Sequence, residues 1–188
     1  MNRSPFFPFF FSHFLVLLLV IVVISSGCVT QNPYRLNIGG KDIDFRANLD
    51  EAKKVPVYPS ELEIKKALLG TDVEKVRIAF ISNDTENSYY AVDGFEISYK
   101  LGTIYNIVFG QSIPIESFVA NNTAEIFANA TANEPIIFMK GPGAGATKTQ
   151  VTLVNNTIIV EGPDLTEEGR DYTDLDLAVD KLLLVLLG

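Results

Sequence analysis

Residues 89–105 read YYAVDGFEISYKLGTIY, and two periods run through them. Phe95, Ile97, Tyr99 and Leu101 alternate with other residues as in a strand. Val92, Phe95 and Tyr99 also share one helical face, and Glu96 with Lys100 makes an i,i+4 ion pair. The segment is longer than an ordinary strand, so its length favours a helix. A helix here turns the whole chain into an alternation of helices and strands.

Working outward toward the N-terminus, Val76–Ser82 (VRIAFIS) is a mostly apolar run of the kind found in central strands. Ser60-Glu61-Leu62-Glu63 is a capping box that opens a helix running to Leu69 and stopping at Gly70. Val55–Pro59 is extended, because each proline disfavours helix in the residue before it. Asp42–Leu49 places Ile43, Phe45, Ala47 and Leu49 on alternate positions and reads as a strand.

Toward the C-terminus, Ile113–Ala120 reads as a strand, Thr123–Thr131 as a short helix and Pro135–Lys140 as a strand. QVTLV and TIIVE flank Asn155-Asn156, a two-residue connection tolerant of positive φ, and predict a β-hairpin. Tyr172–Leu187 closes the chain as a helix buried through Leu175, Ala178, Val179, Leu182, Val185 and Leu186. Its last turn is apolar all round but too short to span a membrane. This order predicts a layered α/β domain: a mixed, mainly parallel sheet, a hairpin near the end and a C-terminal helix. Residues 42–188 form that single domain, and polar residues 29–41, with Gly39-Gly40 near their end, read as a tether.

Residues 1–28 have a different character. A short positive start is followed by an apolar run and by Ser25-Ser26-Gly27-Cys28, the shape of an export signal. Cys28 after Ser-Gly resembles a lipoprotein lipidation site, with Ser25 where an aliphatic residue is usual. The alternatives are a retained helix over Phe6–Ile24 and simple removal of the segment. All three place the domain outside the cytoplasm, and the preferred one anchors it to the outer face of the membrane.

The chain has 188 residues, a net charge of −8, one histidine (His13) and one cysteine (Cys28). The acidic balance argues against nucleic acid as a partner. Residues 29–188 contain neither His nor Cys, which excludes a Ser-His-Asp triad, a Cys-His pair and a His/Cys zinc site there. No residue set stands out as catalytic, none as a metal site, and no cofactor is implied. Four Asn-x-Thr sequons, at Asn83, Asn121, Asn129 and Asn155, are candidate glycosylation sites.

Three stretches invite a site. In MKGPGAGATKT (residues 139–149) the lysine lacks the preceding glycine of a phosphate loop, and the next element is a strand rather than a helix. The stretch reads as a connection between strands. As a candidate ligand loop, Gly141, Gly143, Gly145 and Lys148 leave the end of a core strand and would hold a small anion. The acidic run Asp164, Glu167, Glu168, Asp171, Asp174 and Asp176 lacks calcium-loop spacing and reads as a solvated loop with a helix cap at Asp171 or Thr173. Tyr89, Tyr90, Tyr99 and Tyr105 read as core or core-edge packing, with a ligand groove as the alternative.

From about Asp42 onward, the runs FRANLDEAKKVPVYP, GPGAGATKTQVTL, NNTIIVEG and LDLAVDKLLLVLLG resemble lipoprotein-like envelope proteins of archaea. The resemblance implies a cell-surface setting and carries no activity or binding residue. The sequence therefore points to a membrane-anchored, non-catalytic extracytoplasmic domain that binds an envelope protein, a glycan or a small ligand. The alternatives are a carboxylate-based, calcium-assisted hydrolase and a subunit of a surface layer or filament.

Overall fold

The computed structural model describes residues 32–188, apart from Asp84, Gln111 and Glu168. The export segment with His13 and Cys28 lies outside the described residues. Residues 33–188 form one compact unit. Its strands are β1 (Arg35–Ile38), β2 (Lys41–Asp44), β3 (Val57–Tyr58), β4 (Val76–Ile81), β5 (Ile115–Ala120), β6 (Ile136–Lys140), β7 (Gln150–Val154) and β8 (Thr157–Glu161). Its helices are α1 (Leu49–Ala52), α2 (Glu61–Leu69), α3 (Asn87–Phe109), α4 (Thr123–Asn129) and α5 (Asp174–Leu187).

Six strands form a sheet of order β3-β7-β8-β6-β4-β5. β8, β6, β4 and β5 are mutually parallel, β7 is antiparallel to β8, and β3 runs parallel to β7. The fold is thus the mixed, mostly parallel α/β sheet with a hairpin and a C-terminal helix that the alternation predicts.

Both faces of this sheet are covered, which is why its strands read as apolar runs rather than alternating ones. Ile78, Ile137, Met139, Ile158 and Val160 pack with Ile97 and Leu101 of α3 and with most of α5. The intervening Ala79, Ile136 and Phe138 pack with Ile126 of α4 on the other side. Burying a side chain of this size is worth roughly 1.5–3 kcal/mol, so the two layers jointly fix the register. α5 is buried almost all round, including Asp176 and Asp180.

Two local outcomes differ from the sequence expectation. The span read as a tether contains β1, which pairs with β2 across Gly39-Gly40 at φ of 58° and 79°. These two glycines make a left-handed hairpin turn instead of ending a linker. The strand expected over Asp42–Leu49 ends at Asp44. Phe45, Ala47 and Leu49 still alternate into the core, but the Asn48 side chain accepts the Asp50 amide and starts α1. The 89–105 segment is helical, as its length predicts, within α3, which runs for 23 residues.

Candidate functional site

α3 carries Asp93, Glu96 and Lys100 at helical spacing on one face, and α5 carries Asp176 and Asp180 one turn apart. The helices pack so that these faces meet, and the segment after β2 lays Arg46 and Ala47 against them. Arg46 Nε lies 2.5 Å from Asp176 Oδ1 and 3.9 Å from Glu96 Oε2. The first is a close charge contact without an aligned hydrogen bond. Lys100 Nζ pairs with Glu96 and lies 3.6 Å from Asp180 Oδ1. The Ala47 amide donates to Asp180 Oδ2 at 2.7 Å.

Asp93, Asp176, Asp180 and Lys100 are all buried. Four carboxyls therefore face two cations in a low-dielectric setting, and that imbalance favours retained protons. Burial, then the charge and hydrogen bond of Asp176, hold the Asp93 carboxyl well above the ordinary range despite Arg46. Burial pushes Asp180 up to about 7 against the opposing pull of Lys100 and the Ala47 amide. Desolvation disfavours the Arg46 charge, but Asp176, Asp93, Glu96 and Asp180 outweigh it and raise the guanidinium pKa.

Oxygens of Asp93, Glu96 and Asp176 lie within 4.8 Å of one another, so these three residues could hold a cation. Arg46 on Asp176 and Lys100 on Glu96 already supply positive charge at that point.

Above this network lies a groove of about 760 Å³. Its walls are β2, through Ile43 and Asp44, and the outer face of α3, through Val92, Phe95 and Tyr99. Arg46, Glu96 and Lys100 form its floor. Phe95 is 73% exposed and Tyr99 68% exposed. A cleft of about 280 Å³ adjoins it, sharing Arg46 and Val92 and reaching Asp93 and Asp176.

The glycine loop sits elsewhere, where the C-terminal ends of β4 and β6 open beside each other. Gly143 N–H donates to Glu86 Oε1 at 2.7 Å, Gly141 N–H to the Tyr90 hydroxyl at 3.0 Å, and Thr147 N–H to Glu161 Oε1 at 2.9 Å. Tyr90 in turn donates to Glu86 Oε2 at 2.5 Å. Burial and the Glu86 carboxylate raise the Tyr90 pKa. Gly145 adopts φ of 79°, closing a short 3₁₀ turn at Pro142–Ala144, and Lys148 is exposed. Of the loop amides named here, two meet the chain's own carboxylates and the third meets the Tyr90 hydroxyl, which itself donates to Glu86.

Of the tyrosines, Tyr90 and Tyr105 are core and Tyr99 lines the groove. Of the acidic run, Asp164 closes a turn through Thr166, Asp174 pairs with Arg170 at 3.1 Å, and Thr173 is the cap of α5 in a capping box with Asp176. Asn121, Asn129 and Asn155 are exposed, whereas Asn83 is half-buried and hydrogen-bonds Glu86 at 3.3 Å.

Sequence reasoning passed over Arg46, Asp93 and Asp180. The one available signal was an aspartate amid the apolar residues of the last helix. No family model, curated protein or solved structure matches the chain.

Proposed function

We propose that this chain is a non-catalytic binding domain of a lipoprotein-like protein of the archaeal envelope. Its N-terminal segment holds it on the outer face of the membrane, and a partner or small ligand occupies the groove between β2 and α3. The observation that carries the reading is the pairing of that groove with exposed Phe95 and Tyr99. Val92, Phe95 and Tyr99 are exposed together at this groove, and a contiguous apolar surface left in water marks an interaction site. The test is amide-shift mapping on the full-length chain in nanodiscs against peptide and oligosaccharide panels. Shifts centred on Ile43, Val92, Phe95 and Tyr99 are expected; shifts confined to 141–149, or none, overturn it. Mass spectrometry of the mature N-terminus tests the anchor: a modified Cys28 is expected, and an intact Met1 removes lipidation.

A second reading, a carboxylate-based hydrolase, is favoured by one observation. Asp93, its pKa raised by burial, sits beside Asp176 at the smaller cleft, and a carboxyl that retains its proton can serve as a general acid. A chromogenic glycoside panel, with and without calcium, decides it. Turnover abolished by Asp93→Asn would replace the binding reading.

A further inference from the structure

We infer that the ligand of the β2–α3 groove is a neutral glycan, stacked on Phe95 and Tyr99; this rests on the groove being the binding site. The two rings lie one helical turn apart with planes only 12° from parallel and centroids 6.4 Å apart. Carbon planes in face-to-face contact stand about 3.5–4 Å apart, so at 6.4 Å these rings do not cover each other, and both stay exposed. Two exposed, nearly parallel rings one helical turn apart suit the C–H faces of a saccharide chain. Val92, also exposed, extends this platform by a turn.

The charges narrow the class. The lining carries three cations (Lys41, Arg46, Lys100) and three carboxylates (Asp42, Asp44, Glu96). A polyanion would meet all three carboxylates on a chain of net charge −8. An acyl chain would strip water from Lys41, Asp42 and Asp44 without replacing its hydrogen bonds. Hydroxyls both donate and accept, so a polyhydroxylated neutral ligand can satisfy ammonium and carboxylate groups while its C–H face covers the rings.

The chain contains no tryptophan, so Phe95→Trp places a single indole in the platform. The full-length variant in nanodiscs, free of glycoside detergent, is titrated with neutral cello- and manno-oligosaccharides and with sulfated dextran oligosaccharide as the charged control. A saturable emission change with the neutral sugars is expected, weakened at least about tenfold by adding Tyr99→Ala. Circular dichroism must be unchanged. No emission change at millimolar neutral sugar, or tighter binding of the sulfated one, overturns the glycan class. So does a change that follows protein concentration alone, which would mean a second copy covers the patch. Emission that responds to a peptide but not to sugar leaves the groove reading standing, whereas amide shifts elsewhere remove both.

Discussion

Gly143 donates its amide to Glu86 at 2.7 Å across the gap between β6 and the start of α3. That gap lies at the C-terminal ends of adjacent parallel strands, where open α/β sheets place their ligands. Here the carboxylate that the Gly143 amide meets is the chain's own, and it is buried.

Gly143→Ala tests how tightly the two are joined. A Cβ there would fall 2.6 Å from Glu86 Oε1 and closer still to Asn83 Nδ2. Both are side-chain ends and must shift, so the cost is that of the disturbed Glu86 hydrogen bonds, about 0.5–1.5 kcal/mol for each one lost. Thermal unfolding should show the loss, whereas Gly145→Ala, with open space around its Cβ, should show only the backbone cost of its φ.

Glu86→Ala leaves the Tyr90 hydroxyl and the Gly143 amide without their acceptor. The Tyr90 hydroxyl is buried, so leaving it unpaired costs about 1–3 kcal/mol, whereas Gly143 is exposed and its amide can turn to water. The vacated space is carboxylate-sized and lined by donors, so added formate or acetate should restore part of the melting temperature of the variant and none of the parent's. Equal responses of the two proteins to the salt would contradict the carboxylate's role.

The buried network fixes a pH dependence. Asp180 is raised from 3.8 to about 7, so between those values the folded chain holds a proton that the unfolded chain has released. Its contribution to stability is fully present below about pH 4 and is lost as pH rises through about 7. The groups facing it are Lys100 and Glu96 of α3, Arg46 and the Ala47 amide, and Asp176 of its own helix; Asp93 adds in the same direction. The melting temperature should therefore fall between pH 5 and pH 8, and Asp180→Asn should flatten that fall. Glu161, lowered by its bonds to Lys140, Thr147 and Gln150 despite desolvation, acts in the opposite sense on the acid side, outside this window.

Why the fold was more legible than the site follows from these residues. Ser60 and Glu63, Asn155-Asn156 and the apolar face of α5 act within a few positions of one another, so local chemistry announced them. β1 escaped because Leu36 and Ile38 alternate over only four residues and the following glycines imitate a linker. The network escaped because Arg46, Asp93 and Asp180 meet only after α3 and α5 pack, more than a hundred residues apart at the extremes. The groove tyrosine, Tyr99, was visible as a residue, but only packing separated it from Tyr90 and Tyr105.

Arg46 is the link between the network and the groove floor. Arg46→Met leaves Asp176 buried beside Asp93 and Glu96 without its guanidinium. Removing one partner of a buried pair costs about 3–5 kcal/mol. Arg46 itself is 33% exposed, so water offsets part of that, and about 2–3 kcal/mol is expected from denaturant unfolding. Because both residues act through the same contact, pairing the change with Asp176→Asn should recover part of the loss, with a coupling energy on the order of 1–3 kcal/mol. Strict additivity of the two changes would mean that Asp176 serves α5 only as its cap and that the 2.5 Å contact contributes nothing.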